Sequence, residues 1–142
     1  MGPDLTRAEN WRRALFDILD AAEERSFSWG GNDCFIFCGV AIAAVVGRDI
    51  FAEYEFRGHY SSPHGAVRLL LKHGCRGMAD VWDRYFERIP VKFAGAGDLV
   101  MIDVRQLLPA TGIVVDTRAA FLTTEGLAYR QVEDARDAWR VG

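Results

Sequence analysis

The 142 residues of this chain suit one domain of ordinary size, and an apolar fraction of 50% is enough for a single hydrophobic core. The 17 basic and 20 acidic residues are interspersed, and the formal charge of −3 argues against a nucleic-acid-binding surface. The longest apolar stretch, residues 34–46, is too short to span a bilayer and indicates a buried helix. We therefore expect neither nucleic acid nor a membrane among the partners.

The first residues of the chain bear on where the protein is made, and its cysteine and histidine counts bear on disulfides and metal binding. Residues 1–4 show no basic start followed by an apolar run, so we expect no signal peptide and synthesis in a bacterial cytoplasm. Three cysteines are an odd number for a disulfide framework, and three scattered histidines add too few ligands for a structural zinc site. We expect no metal and no other cofactor.

The first predicted element is an amphipathic helix over residues 6–25. Thr6 and Glu9 have the spacing of a capping box, in which each side chain satisfies a backbone donor at the helix start. An apolar stripe at helical spacing predicts that one face packs on a larger element. The stripe consists of Trp11, Leu15, Ile18, Leu19 and Ala22.

The second predicted helix, residues 34–46, is apolar on nearly all sides and should therefore be central. Two glycines precede it, and either Asn32 or Asp33 is expected to cap it. Gly47 supplies the left-handed exit that commonly ends a helix.

A third helix follows residues 48–61, whose mixed character indicates a loop with short turns. Ser62 as the cap and Pro63 at the first helical position predict its start, and Gly74 predicts its end. A shorter helix is predicted around residues 78–85. The apolar face of the third helix is expected to consist of Val67, Leu69, Leu70 and Leu71.

After Pro90 the pattern changes from helical spacing to short runs that are typical of strands. Strands are predicted over residues 99–102 and 112–115, a hairpin over 119–123 and 127–131 turned at Glu125-Gly126, and a last helix over 133–139. Helices followed by antiparallel strands predict an α+β fold, with N-terminal helices packed on a small antiparallel sheet. Residues 1–142 should form a single domain.

Cys34 is the residue whose surroundings indicate chemistry. It opens the second helix, where partial positive charge and free amide donors favour a thiolate over a thiol. The same amides could hold an oxyanion while an acyl group is attacked, and the glycines just upstream would let a substrate backbone approach. The alternative is that Cys34 packs as a small hydrophobe, as we expect of Cys38 one turn further along.

Three segments resemble one family of cysteine peptidases. Trp29-Gly30-Gly31, then Asp33-Cys34 and an apolar helix rich in small residues, is similar to the signature of the NlpC-type, papain-like cell-wall peptidases. Residues 97–100 (Gly-Asp-Leu-Val) and 111–114 (Thr-Gly-Ile-Val) resemble two strands of that family. The order and spacing of these segments match over residues 27–123, which implies a papain-like fold.

The family's mechanism, by implication, is hydrolysis of peptide bonds in peptidoglycan stems. A thiolate attacks, a histidine relays the proton, and a third polar group orients that histidine. The resemblance makes Cys34 the candidate nucleophile. The candidate binding residues are Trp29, Gly30, Gly31, Asn32 and Asp33.

More narrowly, the chain resembles a small phage and prophage group of this superfamily. Its members are short, begin with "WG…DC" and end with a tail similar to Ala138-Trp139-Arg140-Val141. The resemblance implies a tail-tip or hub component of a phage-like particle, located in the virion, with tail-tip or hub proteins and peptidoglycan as partners. A particle of this kind carries its proteins to the cell wall, so no secretion signal is needed.

The chain departs from the family at the catalytic histidine, whose place is held by Ala110. Phe35 replaces the small serine that usually follows the cysteine, and Phe27 replaces a tyrosine two places before the tryptophan. His59, on the loop after the cysteine helix, is the best substitute base among the three histidines. Loss of one triad member typically removes several orders of magnitude of rate, so these departures predict a catalytically degenerate protein.

Two tryptophans have expected roles. Trp29 should line the groove beside Cys34. Trp139 either closes the domain's own core, which we expect, or anchors an interface together with Arg140, since tryptophan and arginine are typical interface anchors.

Three functions stay open at this point. The first is a catalytically silent NlpC-type module in the tail tip or hub of a phage-like particle. The second is an active peptidoglycan peptidase or amidase that uses Cys34 with an unusual base. The third is a bacterial maturation or effector protein with the same fold.

Overall fold

The computed structural model describes residues 5–104 and 108–142, without the side chain of Glu53. Within these residues the chain forms four α-helices and then six antiparallel strands, which confirms the predicted α+β class. The helices are α1 (Trp11–Glu23), α2 (Cys34–Val46), α3 (Pro63–Lys72) and α4 (Met78–Asp83). The strands are β1 (Glu87–Ile89), β2 (Leu99–Ile102), β3 (Ala110–Val114), β4 (Arg118–Thr123), β5 (Gly126–Gln131) and β6 (Asp137–Arg140). The signal-peptide expectation concerns residues 1–4, which lie outside the described residues.

Local signals place the starts of α2 and α3. The Asp33 side chain accepts a hydrogen bond from the backbone N–H of Ile36, and Gly47, with a φ of 70°, ends α2 in the left-handed conformation. Ser62 caps α3 in the same way through a backbone N–H in the first turn. The predicted starts of both helices are confirmed, and Asp33 rather than Asn32 is the cap of α2.

The strands form one sheet in the order β1-β6-β2-β3-β4-β5, and every neighbouring pair is antiparallel. α2 packs on β3 and β4, and α1 packs along α2. In β2, Leu99 and Met101 join the core beneath the helices, whereas Val100 and Ile102 join a second apolar cluster on the opposite face. All four residues are buried, which explains why this strand is a continuous apolar run.

The predicted start of the first helix at Thr6 is wrong, because α1 begins at Trp11. Arg7 lies before α1 and donates hydrogen bonds to the carboxylate of Asp98 and to two backbone carbonyls. Asp98 in turn accepts from the backbone N–H of Val141 at 3.0 Å. The partners of Arg7 are between 89 and 134 residues away in the chain, so no local pattern could have reported these contacts.

The predicted helix over residues 133–139 is also wrong. A single 3-10 turn covers Val132–Asp134, and Asp137–Arg140 then forms β6 between β1 and β2. Trp139 is fully buried on the helical face of the sheet and donates from Nε1 to the Asp83 carboxylate at 2.8 Å. The expectation that Trp139 closes the domain's own core is therefore confirmed, whereas the three-residue β1 was missed.

The apolar face predicted for the third helix is correct only in part. Ala66 and Leu70 are buried one turn apart, but Leu71 is 58% exposed. Adjacent residues on a helix point about 100° apart, so Leu70 and Leu71 cannot both face the core. The face predicted for α1 is confirmed, with Leu15, Leu19 and Ala22 buried and Trp11 and Ile18 partly buried.

We predict that Trp139→Ala lowers the free energy of unfolding by about 3–5 kcal/mol, because removing a fully buried indole leaves a cavity. Tyr129→Ala, on the edge strand β5, is the control and should cost less than about 1 kcal/mol. Urea denaturation followed by circular dichroism measures both values. Equal costs for the two variants would contradict the placement of Trp139 in the core.

Candidate active site

The buried carboxylate of Asp33 organises the start of α2. It is 1% exposed, and its Oδ1 accepts from the backbone N–H of Ile36 at 2.9 Å. Its Oδ2 accepts from the backbone N–H of Gly30 at 2.9 Å and from the phenol of Tyr60. One side chain therefore joins the tryptophan–glycine loop and the loop after α2 to the helix start, directly beside Cys34.

Gly30 is required where these two loops meet. Its φ of 79° lies in the left-handed region, and a Cβ at this position would be 1.9 Å from the carbonyl oxygen of Tyr60. The backbone of Gly58 confirms the close approach, since its N–H donates to the Gly30 carbonyl at 2.8 Å. The glycine allows loop packing and thereby sets the position of Tyr60 over the helix start.

Cys34 is half-buried and lies between two depressions, both of which Trp29 also lines. We call the first one the apolar crevice, because almost all of its wall is apolar; it includes Tyr60, Leu70 and Met78. We call the second one the β3 depression, since Ala110 at the start of β3 lines it; its volume is about 130 Å³. The β3 depression also includes Phe27, Thr123 and Thr124.

The electrostatics of the site oppose ionisation of Cys34. Burial raises the pKa of the Cys34 thiol to about 11, and the negative charge of Asp33 adds to the effect. The backbone N–H of Thr111, on β3, acts in the opposite direction but does not compensate. The backbone N–H groups of Phe35 and Cys34 at the helix start lower the pKa, as expected, but desolvation outweighs them and the thiol is favoured over the thiolate.

Tyr60 is held as a neutral phenol. Burial raises its pKa, and the negative charge of Asp33 and the hydrogen bond to that carboxylate raise it further. The phenol therefore keeps its proton and donates a hydrogen bond to Asp33, so Tyr60 does not act as a base for the Cys34 thiol.

Among the described residues, no histidine lines either depression beside Cys34. Ala110 lines the β3 depression, where the family resemblance expects the catalytic imidazole. His59 is exposed and lines a third, separate depression, which shares only Tyr60 with the apolar crevice. The structure therefore does not bring the two candidate catalytic residues, Cys34 and His59, into one cavity.

The five candidate binding residues of the loop divide into two groups. Trp29 and Asp33 line cavities beside Cys34, so the structure brings them together with the thiol. Gly30, Gly31 and Asn32 line neither cavity. The Asn32 side chain is buried and donates to a backbone carbonyl within its own loop, which gives it a role in loop structure.

Two residues of the site were missed in the sequence. Tyr60 meets Asp33 across 27 residues of chain, and no spacing rule links them. Thr111 is fully buried under α2, where its hydroxyl accepts from Trp82 Nε1 at 3.2 Å and donates to the carbonyl of Val100 at 3.3 Å. The one sequence signal for Thr111 was that it is a threonine within an otherwise apolar strand, because a buried hydroxyl needs hydrogen-bond partners.

The bulky residue after the cysteine has a structural explanation. Phe35 is buried, and its ring centroid lies 4.7 Å from that of Phe51, 5.1 Å from Phe56 and 5.2 Å from Trp82. Such aromatic pairs stabilise a core beyond the area that they bury. The position that is a small serine in the family pattern therefore belongs here to an aromatic cluster beneath the crevice.

The described part of the chain offers no group of histidine, cysteine and carboxylate side chains arranged to hold a metal ion. Cys38 and Cys75 are fully buried in the core. None of the helices in residues 5–104 and 108–142 has the length and apolar character needed to cross a membrane.

Comparison with known proteins assigns a family without an activity. Residues 6–141 match the family described as Domain of unknown function (DUF6950). The chain belongs to this family. No curated protein matches the chain. The matched range extends from before α1 to the end of β6, so the surroundings of Cys34 lie within the DUF6950 domain.

We predict that Asp33→Asn lowers the free energy of unfolding by about 2–4 kcal/mol. Each carboxylate oxygen accepts from a backbone N–H, so an amide NH2 at either position would face another donor. Asp49→Asn is the matched control, because Asp49 also caps a turn but is solvent-accessible, and we expect a cost below about 1 kcal/mol. Chemical denaturation measures both; a cost for Asp33→Asn no larger than that of the control would refute its organising role.

We also predict how Cys34 reacts with iodoacetamide as the pH changes. With a pKa of about 11, the alkylation rate should rise about tenfold per pH unit from pH 7 to pH 10 without levelling off. Asp33→Asn should move this profile to lower pH, because it removes a negative charge that raises the thiol pKa. Peptide mapping separates Cys34 from the buried Cys38 and Cys75, and a plateau below about pH 8 would reveal an activated thiolate instead.

Proposed function

We propose that this domain is a catalytically degenerate, NlpC-type papain-like module that serves in the tail tip or hub of a phage-like particle. The resemblance of residues 29–34, 97–100 and 111–114 to the family's segments supports the assignment. The packing also supports it, since α2 begins at the cysteine and lies on β3, next to β2. In this proposal the protein is located in the virion, with tail-tip or hub proteins as its partners and peptidoglycan as a second partner.

The observation that carries the loss of catalysis is the chemistry around Cys34. Attack on a peptide bond needs a base to take the thiol proton and an acid to protonate the leaving amine. The Asp33 carboxylate is occupied by three donors, and the Tyr60 phenol is one of them. Ala110 offers no ionisable group in the β3 depression. The thiol therefore favours its protonated form, and none of the described residues that line its two depressions is free to exchange a proton with it.

What the site keeps is the shape of a groove. The apolar crevice and the β3 depression flank Cys34, and Trp29 contributes to both. Exposed or half-exposed tryptophan is a frequent anchor where a ligand or a partner protein is bound. The apolar crevice, at about 20 Å³, has room for little more than one water, so the β3 depression, at about 130 Å³, is the space that this proposal assigns to binding without cleavage.

The alternative function is an active peptidoglycan peptidase or amidase. The partial exposure of Cys34 favours it, as does the Thr111 N–H, which lowers the thiol pKa in part. In this alternative a base from another molecule would have to enter the β3 depression beside Ala110, the position that would otherwise carry the imidazole.

We predict that the protein co-purifies with tail proteins in particle preparations and that Cys34→Ala assembles as well as the wild type. The purified domain should release no soluble stem peptides from peptidoglycan, because the described linings of the two depressions beside Cys34 offer no free base for its proton. Particle composition by mass spectrometry and chromatography of digests measure these outcomes.

Two results would reject parts of this proposal separately. Absence of the chain from particles would reject the tail-tip role. If the wild type releases stem peptides and Cys34→Ala abolishes that release, the loss of catalysis is rejected and the active alternative is established. Cys38→Ala is the control, because it removes a cysteine that is packed in the core.

A further inference from the structure

A basic depression lies beside the apolar crevice, and Tyr60 lines both. Its volume is about 320 Å³, and its wall is mostly polar. The polar groups that line it come from His59, Ser61, Ser62, Arg68 and Lys72. No carboxylate of the described residues lines it, although the whole chain carries a formal charge of −3.

The two cations of the basic depression are not neutralised by the fold. Arg68 and Lys72 lie four residues apart on α3, where like charges repel and destabilise a helix. Neither forms an ion pair with a carboxylate in the described residues, whereas six arginines elsewhere do so. These six are Arg7, Arg57, Arg76, Arg88, Arg118 and Arg136. Other exposed cations, such as Arg13 and Arg130, also lack an ion pair in the described residues, so a missing partner alone does not mark a site. What distinguishes Arg68 and Lys72 is that both line one depression whose described lining has no carboxylate.

The side chain of Arg68 folds back over the first turn of α3. A Cβ built on Gly65 would lie 3.7 Å from Nη2 of Arg68 and 3.1 Å from Oγ of Ser62. Both groups therefore lie within 4 Å of one point beside Gly65, although Arg68 as a whole is exposed. The absence of a side chain at position 65 keeps the space between these donors open.

Another depression shows that this charge pattern is specific to the site. The larger concavity near Lys92, of about 480 Å³, is also lined by Asp116 and Glu133. Its single cation is therefore outnumbered by carboxylates, as expected for an acidic protein. The basic depression differs because its cations stand together without acidic neighbours.

We infer that the basic depression binds an oxyanion, namely a phosphate or carboxylate group carried by a ligand. Guanidinium and ammonium groups beside hydroxyl donors are the side chains that hold such anions. His59 then contributes to anion binding and not to proton exchange with Cys34. Tyr60 lines both the apolar crevice and the basic depression, so a ligand that extended from one to the other would pass Tyr60. This extension rests on the proposed function, whereas anion binding does not.

Titration of the 15N-labelled domain tests the inference, with inorganic phosphate in one series and acetate in another, at constant ionic strength. We expect saturable shifts of backbone amides in residues 59–72, with a dissociation constant on the order of millimolar. The double variant Arg68→Glu/Lys72→Glu should bind at least tenfold more weakly. Arg13→Glu/Arg130→Glu reverses two exposed cations elsewhere and should leave the affinity unchanged.

The two series also separate the possible sources of the anion. Saturation by phosphate alone supports a phosphate-bearing ligand, and saturation by acetate supports a free carboxylate. Absence of saturable shifts with both anions, or equal affinity in the Arg68→Glu/Lys72→Glu variant, would overturn the inference. Because the isolated domain is titrated, this result is independent of whether the chain is found in particles.

Discussion

The hydrogen bonds of the Asp33 carboxylate are the constraint on which the candidate site depends. A buried charge is tolerated only when its lone pairs are filled, and here the helix start, the glycine loop and Tyr60 fill them. The contact gives the apolar crevice its wall and presents Cys34 between two depressions. Burial is the main reason that the pKa of the Cys34 thiol is raised, and the negative charge of Asp33 raises it further, so the group that organises the site also disfavours the thiolate.

A second set of contacts brings the sheet to that helix. Arg7 and Asp98 join the start of the chain to its last strand, and β6 fills the space between β1 and β2. In this sheet β3 lies under α2, and the first residues of β3 are next to Cys34. The backbone N–H of Thr111 lowers the pKa of the Cys34 thiol in part, and Ala110 lines the β3 depression together with Cys34. The strand from the far end of the domain thus helps to bury Cys34 and supplies the one N–H outside the helix start that lowers the pKa of its thiol.

The proposed function and the inferred anion site concern neighbouring depressions that share lining residues. The β3 depression and the apolar crevice have Trp29 in common, and the apolar crevice and the basic depression have Tyr60 in common. Among the described residues that line these three depressions, the only acidic side chain is Asp33, whose oxygens are occupied. Such a surface offers apolar contact along its length and a cationic end. This combination suits recognition of an extended ligand with an anionic group, with or without cleavage.

The elements that the sequence determined by itself are those with signals inside a few residues. Neighbouring residues in the chain were enough to predict five features: the Asp33 cap, the Ser62 cap, the Gly47 helix end, the apolar run of β2 and the β4–β5 hairpin. The match to the DUF6950 family names no activity. Tertiary structure alone decided the start of α1, the strand at Trp139, the contact between Tyr60 and Asp33, and the separation of His59 from Cys34. The physical reason is that burial, hydrogen bonding and desolvation depend on which distant segments meet, and the cost of ionising Cys34 is set by that environment and not by its place at a helix start.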